Sequence, residues 1–491
     1  MRNLIALPLN TLPALVFLLF ALTSIGSATA EAAEKLPNIL IVLVDDMGYG
    51  DPGCFNPESK IPTPNIDRLA AEGMKFTDAH ASGPLCHMSR YGLMSGRYPF
   101  RINVGKWPQQ PLIEENEVTL PSLLRDAGYR TAMVGKWHVG FEEKGYDRPL
   151  RGGPADRGFD TFFGIRASTD IPPYFYIRDR EAISPPTESI EANQSGGHWN
   201  EIQGAFWRAG GIAPELDLVD VTPRFTEEAC RVIESHQENH KPLMLYLAYP
   251  SPHTPWLPTK AFQGQSGAGM YGDFMTMVDS MIGQVLDTLE SSGMKDNTMV
   301  IFTSDNGPTW YDKDVQKFGH DSAAGLRGMK ADAWEAGHRM PMIVRWPGVV
   351  EPQSTSSALI SFVDLLATMD ELVDSKHCVG NVSDAGPDSF SFLSELTGKP
   401  SDRPRRPSLA LKSGRGLMTY RRGPWKLIEG DGSGGFSDRG KKLDRNKPYR
   451  GQLYHLQDDL GETNNMIERQ PEILASLREE LAEIVDANRS R

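Results

Sequence analysis

Cysteine is scarce in this sequence. The 491 residues contain four, Cys54, Cys86, Cys230 and Cys378. A chain of this length can bury a large core without cross-links, so disulfides are excluded as its main source of stability. If one cysteine is used for chemistry, at most one disulfide can form among the other three, and the sequence does not indicate which pair.

Basic residues are too few for a nucleic-acid-binding protein. Lys and Arg together number 51 against 64 Asp and Glu, which gives a formal net charge of −13. Proteins that bind nucleic acids usually carry a basic face that neutralises phosphates, so the composition argues against that class. An acidic surface also repels polyanions, and an anionic ligand therefore requires a locally basic pocket.

Long apolar runs are missing beyond the N-terminus. The apolar stretch from Leu9 to Leu22 follows the positive charge of Arg2 and precedes the small residues Ser27–Ala30. This order is typical of a secretory signal peptide, and residues 1–30 are predicted to be one. A membrane anchor is disfavoured because the stretch is short and contains Pro13. We therefore expect a secreted or periplasmic protein without a stable membrane span.

Apolar runs alternate along the chain with amphipathic segments that end at a glycine. Most of the runs are nearly continuous, which indicates strands buried on both faces. The pattern predicts an α/β fold with a large mixed, mostly parallel sheet flanked by helices. The predicted strands are Asn38–Val44, Tyr129–Val134, Leu243–Tyr249 and Thr298–Thr303, and the predicted helices are Asn65–Glu72, Thr119–Ala127 and Tyr271–Ser292.

The composition changes near residue 400, where a stretch rich in proline and charge resembles a linker. We predict a catalytic domain over residues 36–400 and a small α+β domain over 401–491, with antiparallel strands in Gly416–Ile428 and Gln452–Leu456 and a closing helix at Pro471–Ala487. Glycine and serine predict a mobile loop from Gly430 to Lys442. The irregular, aromatic region from Ile165 to Ile212 is a candidate lining of a substrate cleft.

Polar side chains stand where the predicted strands end. In open α/β sheets, ligands bind just outside the carboxyl ends of the strands. Two of these ends supply only hard oxygen ligands, which favour Ca²⁺ or Mg²⁺ over zinc. The residues at the four strand ends are Asp45 and Asp46, Lys136 and His138, His253, and Asp305 and Asn306.

Cys86 precedes a segment that can begin a helix. At that position its side chain faces the positive end of the helix, and Arg90 lies one turn further on. Both features would stabilise an anionic nucleophile. The alternative for a lone cysteine is a small buried apolar residue.

Several motifs along the chain resemble those of the sulfatase family, in the order in which the family carries them. The resemblance runs from about Pro37 to Met466 and is closest to the arylsulfatase A and N-acetylgalactosamine-6-sulfatase branch. The motifs are Ile41–Asp51, Cys86-x-x-Ser89-Arg90 with Leu93-x-Ser-Gly96-Arg97, Gly135–Gly140, Ser304–Gly307, Leu326–Lys330, Glu335–Gly337, Pro341–Gly348, Leu453–Asp459 and Gly461–Asn465.

The resemblance implies an alkaline-phosphatase-like fold and hydrolysis of sulfate monoesters on a small molecule or, as we expect here, a sulfated carbohydrate. It implies that a maturation enzyme oxidises Cys86 to formylglycine, whose hydrate attacks sulfur. One calcium ion would be bound by Asp45, Asp46, Asp305 and Asn306 together with residue 86. Arg90 and Lys136 would stabilise the hydrate, His138 would trigger sulfate release, and His253 with Lys330 would bind sulfate and protonate the leaving oxygen.

One position departs from the family signature. Met88 stands two residues after the cysteine, where the family usually has proline. Two alternatives therefore remain beside an active sulfatase. One is an unconverted protein that binds sulfated glycans, and the other is a phosphate or phosphonate monoester hydrolase on the same scaffold. The other histidines, among them His80, His87, His320 and His338, are expected to be structural or peripheral. Trp107, Trp199 and Trp207 are candidates to stack on sugar rings.

Overall fold

A computed structural model describes residues 36–237, 239–377, 379, 385–439 and 450–491. The predicted signal peptide and Cys378 lie outside the described residues. Cys54, Cys86 and Cys230 are free thiols. None of the described helices is both long and apolar enough to cross a membrane.

The described residues form strands, α-helices and short 3₁₀ turns in alternation. The strands are β1 (Asn38–Val44), β2 (Met74–His80), β3 (Arg130–Lys136), β4 (Thr161–Ile165), β5 (Ile177–Arg178), β6 (Glu181–Ala182), β7 (Glu188–Ile190), β8 (Gly210–Ile212), β9 (Leu243–Ala248), β10 (Thr298–Ser304), β11 (Arg339–Arg345), β12 (Ser354–Ser356), β13 (Ile360–Ser361), β14 (Ser408–Lys412), β15 (Met418–Arg422), β16 (Trp425–Ile428) and β17 (Gln452–His455). The helices are α1 (Pro64–Ala71), α2 (Cys86–Ser95), α3 (Leu120–Asp126), α4 (Val221–Glu234), α5 (Gly269–Ser291), α6 (Asp312–Phe318), α7 (Asp364–Leu372), α8 (Leu393–Thr397) and α9 (Pro471–Asp486).

The large sheet has 11 strands in the order β12-β2-β11-β10-β1-β9-β3-β4-β5-β6, with β13 also paired to β2. Its centre is parallel, since β1 pairs with β9 and β10, and β3 pairs with β9 and β4, all in parallel register. The pairs β10–β11, β11–β2, β4–β5 and β5–β6 are antiparallel. The predicted mixed, mostly parallel sheet is confirmed.

The central strands are buried along their whole length, as their continuous apolar sequences predict. All six residues of β9 and all seven of β10 are buried. Since side chains alternate between the two faces of a strand, both faces of the sheet centre are covered. Helices α1, α4 and α5 pack against one another as one group, and α2, α3 and α7 as another.

A second, antiparallel sheet of order β14-β15-β16-β17 forms in the C-terminal region, and α9 packs on β15. Strand β14 has no counterpart among the predicted strands. The sheet shares its core with the catalytic region, because Leu411 and Leu427 belong to the same apolar cluster as Tyr98 and Val363. Residues 37–491 form one compact unit, and the domain boundary near residue 400 stays a prediction.

A buried charge network joins the two sheets. The Lys426 ammonium on β16 lies 2.9 Å from Glu335 Oε1 and 2.9 Å from Glu462 Oε1. Arg421 on β15 pairs with both carboxylate oxygens of Asp78 on β2, each at 2.7 Å. Lys426, Glu335 and Glu462 are 1%, 0% and 0% exposed. Charges this deep are tolerated because each faces an opposite charge.

The glycine-rich stretch predicted to be a mobile loop is packed where the structure describes it, over residues 430–439. Ser433 O accepts a hydrogen bond from Ala333 N at 2.7 Å, and Ser437 Oγ donates to Asp332 Oδ2 at 2.5 Å. A Cβ on Gly435 would lie 2.3 Å from the backbone of Ala331. Close backbone packing thus explains the glycine content, and the expectation of mobility is wrong for these residues.

Candidate active site

The parallel strands deliver the predicted polar residues to one edge of the sheet. Asp45 and Asp46 follow β1, Asp305 and Asn306 follow β10, His253 follows β9, and Lys136 ends β3 with His138 two residues later. Cys86 is the first residue of α2, and Lys330 lies in the irregular segment between α6 and β11. The contacts described below show that the structure brings these residues together.

Arg90 bridges the two strand ends that carry the acids. Its Nε donates to Asp305 Oδ2 at 2.9 Å, its Nη2 to Asp45 Oδ2 at 2.8 Å, and its Nη1 to Lys136 O at 2.8 Å. The Lys136 ammonium also pairs with Asp45 Oδ2. All four side chains are fully buried. Arg90 and Lys136 therefore fix the carboxylates in position as well as neutralise them.

Cys86 points into this cluster. Its Sγ lies 3.5 Å from Asp45 Oδ1 and 3.2 Å from the Lys330 ammonium. Burial, and then the charges of Asp305 and Asp45, raise the pKa of the thiol. Arg90 contacts the carboxylates rather than the sulfur, so without a cation at these acids the unmodified thiol stays protonated. The expectation that an anionic nucleophile forms at this position stays a prediction, and the cation that contacts the sulfur is the Lys330 ammonium.

Burial opposes the ionisation of Asp45, Asp46 and Asp305, and the charges of neighbouring groups decide in which direction each pKa shifts. For Asp45 the charges of Lys136 and Arg90 outweigh burial and hold the pKa below its usual range. Burial, and then the charge of Asp45, raise the pKa of Asp305 to about 6. Burial also raises the pKa of Asp46. A cation bound among these acids would favour the ionised form of each.

The acidic cluster fits a hard divalent cation. Asn306 Oδ1 is buried and has no hydrogen-bond partner among the described residues, while its Nδ2 donates to Asp46 Oδ1 at 2.6 Å. A buried acceptor without a partner is costly, and a cation would satisfy it. One ligand atom each from Asp45, Asp46, Cys86 and His253 lies within 4.8 Å of the others. These four atoms are two carboxylate oxygens, one sulfur and one nitrogen; Asn306 Oδ1 and the Asp305 carboxylate would add the further oxygens that suit Ca²⁺ or Mg²⁺ better than zinc.

Two histidines stand beside the cluster in neutral form. Burial, and then the charges of Lys136 and Arg90, lower the pKa of His138 well below its usual value. Burial, and then the charge of Lys330, lower the pKa of His253 to about 4. His253 Nδ1 lies 2.6 Å from Thr254 O, an acceptor, so Nδ1 carries the hydrogen and Nε2 its lone pair. Neutral His138 can accept a proton.

These groups open into a cavity of about 220 Å³, lined by Cys86, His138, His253, Lys330 and Asp46. Several lining residues were not among the predicted site residues. Those from the aromatic region are Ser168, Asp170, Ile171, Ile202 and Arg208, and those from elsewhere include His87, Trp256 and Phe436; Trp107, a predicted candidate to stack on a sugar ring, also lines the cavity. The prediction that Ile165–Ile212 lines a cleft is thus in accord with the structure.

Two of the lining residues, Ser168 and Trp107, contact His138, and a third, His87, departs from its expected peripheral position. Ser168 Oγ lies 3.3 Å from His138 Nδ1, and Trp107 stacks on His138 with ring centroids 4.4 Å apart. His87, expected to be peripheral, lines the cavity and stacks on Trp107. Trp199 instead packs against Phe318 in an aromatic cluster. Sequence reasoning missed Ser168 because no periodic pattern marks it.

The backbone at the site adopts conformations that side chains rarely allow. Asp46, His138 and Ala331 have φ values of 64°, 60° and 71°, in the left-handed region. A Cβ on Gly307 would lie 1.8 Å from Ala336 O, so the turn after Asn306 requires glycine. Strain of this kind concentrates where function fixes the direction of a side chain.

Comparison with known proteins identifies the family. The sequence profile described as Sulfatase matches residues 37–375. The chain is 32% identical over 521 residues to the N-acetylgalactosamine-6-O-sulfatase of Bacteroides thetaiotaomicron, with 99% of each protein covered. It is 34% identical over 397 residues to the human N-acetylgalactosamine-6-sulfatase, covering 76% of this chain and 69% of that protein.

Solved structures agree. A Bacteroides thetaiotaomicron structure, whose name refers to metabolism of multiple glycosaminoglycans, has a TM-score of 0.81 at 32% identity and covers 92% of this chain and 100% of that one. The PsFucS1 sulfatase from Pseudoalteromonas has a TM-score of 0.68 at 24% identity, covers 91% and 90%, and supports the fold alone. With the strand-end cluster described above, these similarities establish that the chain belongs to the sulfatase family, whose members use a metal ion, and is a sulfuric ester hydrolase.

Proposed function

We propose that this enzyme removes the 6-sulfate group from N-acetylgalactosamine in sulfated glycans, after export from the cytoplasm. The observation that carries the substrate class is the similarity to the Bacteroides N-acetylgalactosamine-6-O-sulfatase over 99% of both chains. A cavity of about 220 Å³ with aromatic walls suits one sugar ring better than a bulky apolar group. Export follows from the predicted signal peptide, and an extracellular glycan is the substrate that export would reach.

The proposed chemistry needs positive charge around the sulfate. A sulfate monoester carries one negative charge, and its leaving oxygen gains more as the S–O bond breaks. Lys330 faces the cavity; burial lowers the pKa of its ammonium, but the charge of Asp46 outweighs burial and holds that pKa well above the usual value. Lys330 therefore remains charged and donates a hydrogen bond to the sulfate or the leaving oxygen. His253 could donate to the same oxygens only with a proton on Nε2, because its Nδ1 hydrogen is directed at Thr254 O.

Two groups complete the proposed site. A calcium ion held by Asp45, Asp46, Asp305 and Asn306 would supply charge neutralisation, and a formylglycine at position 86 would supply the nucleophilic oxygen. Arg90 and Lys136 hold the acids in register for the ion. His138, neutral and oriented by Ser168, takes up a proton during sulfate release.

Substrate assays test the proposal directly. We expect purified enzyme to hydrolyse N-acetylgalactosamine 6-sulfate with a kcat/KM about 100-fold above that for the 4-sulfate, because the cavity positions one ester for attack. Nitrophenyl sulfate should be cleaved and nitrophenyl phosphate should not. Absence of turnover on every sugar sulfate would reject the proposed substrate class. Faster cleavage of the phosphate would favour the phosphate monoester hydrolase alternative.

Removal of calcium is expected to abolish most of this activity. Exhaustive chelation should lower kcat by about 100-fold or more, because the acids then repel the sulfate instead of binding a cation. Calcium at about 100 times its Kd should raise the Tm by about 3 °C for a chain of this size. The measurements are sulfate release and thermal unfolding, each repeated with Mg²⁺ as the comparison ion. Full activity after chelation would contradict the assignment.

A further inference from the structure

The carboxylate of Asp170 stands in the cavity with one oxygen engaged and the other free. Asp170 is 5% exposed and lines the cavity beside His253. Its Oδ2 accepts a hydrogen bond from Arg208 Nη1 at 2.5 Å. Its Oδ1 is buried and has no hydrogen-bond partner among the described residues. A buried acceptor left without a donor is uncommon and calls for a ligand.

The sign of this charge limits what the ligand can be. A sulfate group is repelled by a carboxylate, and Asp170 is therefore poorly suited to bind the anionic end of the substrate. An ionised carboxylate only accepts hydrogen bonds, so Oδ1 requires a donor. A sulfated N-acetylhexosamine brings hydroxyl groups and one amide N–H as donors, and the donor beside a 6-sulfate ester is a hydroxyl group.

Arg208 supplies the complementary half of such a contact. Its Nη1 donates to Asp170 O at 3.1 Å as well as to Oδ2, and its guanidinium lies 5.1 Å from the ring of Phe206. Its Nε and Nη2 make no hydrogen bond to any residue that the structure describes. Half of the side chain is exposed, and the residue lines the cavity. A hydroxyl both donates and accepts, so one hydroxyl can satisfy Asp170 and Arg208 together.

Asp170 lies close enough to the acidic cluster for one sugar ring to place its sulfate at the cluster and a hydroxyl at Asp170. His253 lies between the two carboxylates, with Nε2 3.7 Å from Asp46 Oδ2 and Nδ1 3.9 Å from Asp170 Oδ1. The imidazole ring of His253 therefore separates Asp170 from the acidic cluster. In a 6-sulfated hexosamine, the ring hydroxyl nearest the ester is the one at C4.

We propose that Asp170 and Arg208 form a recognition pair for a sugar hydroxyl, which selects sulfated sugars over sulfate esters that lack a neighbouring hydroxyl. This inference rests on the proposed function, because it requires a carbohydrate sulfate in the cavity. It adds a specificity determinant outside the groups that handle the sulfate itself.

The test compares substrates as well as variants. Wild type, Asp170→Ala and Arg208→Gln are assayed as matured enzyme on N-acetylgalactosamine 6-sulfate, its 4-deoxy analogue and nitrophenyl sulfate. In wild type, loss of the hydroxyl should lower kcat/KM by about 100-fold, since the carboxylate is then left buried and unpaired. In Asp170→Ala, which removes the acceptor, the ratio of kcat/KM for the sugar to that for nitrophenyl sulfate should fall by a similar factor. In this variant the kcat/KM for the 4-deoxy analogue should be close to that for the parent sugar, because the substitution and the loss of the hydroxyl remove the same contact.

Controls separate this idea from a structural role and from the proposed function. Glu191→Gln alters an exposed carboxylate of the same region and should leave the substrate ratio at the wild-type value. The proposed pair is overturned if the Asp170→Ala substrate ratio stays within threefold of wild type. It is also overturned if the variant loses as much kcat/KM on removal of the 4-hydroxyl as wild type does. A wild type that cleaves nitrophenyl sulfate but no sugar sulfate overturns the proposed function instead.

Discussion

Cys86→Ala is expected to lower sulfate ester hydrolysis by about 10⁴-fold or more, which corresponds to about 5.5 kcal/mol of transition-state stabilisation. Residue 86 lies at the meeting point of Asp45 and Lys330, and no other described nucleophilic side chain contacts both. The small apolar replacement keeps the helix start of α2 and removes the atom from which the nucleophile would be made. The measurement is sulfate release from N-acetylgalactosamine 6-sulfate and from nitrophenyl sulfate.

The matched control is Cys230→Ala, the same substitution at a free, partly exposed cysteine on α4. It should keep wild-type kcat and KM. Mass spectrometry of the peptide that contains residue 86 adds a second readout, since an aldehyde in wild-type protein supports conversion despite Met88. A Cys86→Ala variant with substantial turnover would contradict the nucleophile assignment. An intact thiol in active wild-type enzyme would reject formylglycine specifically.

Asp45→Asn should damage both stability and catalysis. Asp45 Oδ2 accepts from Arg90 and from Lys136, and all three side chains are fully buried. Removal of the charge takes an anionic partner away from the buried side chains of Arg90 and Lys136. Breaking a buried ion pair typically costs about 3–5 kcal/mol of unfolding free energy. It also weakens the proposed calcium site, so kcat should fall by about 10³-fold. Denaturant unfolding and sulfate release measure the two effects.

Asp287→Asn serves as the control, because Asp287 pairs with Arg68 at 3.0 Å but is 67% exposed. A surface pair of this kind is worth less than about 1 kcal/mol.

The pKa of the Asp45 carboxyl is held below its usual range, so its stabilising contribution is present above about pH 4 and lost as the pH falls. Asparagine does not titrate, and the stability gap should therefore narrow in acid. A small difference in unfolding free energy between wild type and Asp45→Asn at neutral pH would contradict the ion-pair argument.

The chemistry at the strand ends could be predicted from sequence because it follows from topology. Once β1, β3, β9 and β10 are recognised as buried parallel strands, their carboxyl ends must lie at one edge. Residues that follow directly, such as Asp45 and Asp305, then come together without further information. The boundaries were right to within two residues for each of these strands.

The cavity walls could not be predicted in the same way. Ser168, Asp170 and Arg208 lie in irregular backbone, whose path depends on tertiary contacts and not on local periodicity. Phe436 belongs to a stretch whose glycines suggested mobility, whereas Gly435 is needed because the chain passes within contact distance of Ala331. The left-handed φ of Asp46 and His138 likewise has no sequence signal, because neither is glycine.

The ammonium of Lys426 limits how this chain can be divided or recombined. It is buried between Glu335, which belongs to the catalytic region, and Glu462 near the C-terminus. A chain that stopped near residue 400 would keep Glu335 and Asp78 with their shared partner Arg339, but it would lose Lys426 and Arg421, which pair with them from the C-terminal region. Exchange of the C-terminal segment with that of a relative should therefore succeed only where the incoming strand places a basic side chain between Glu335 and the residue at position 462.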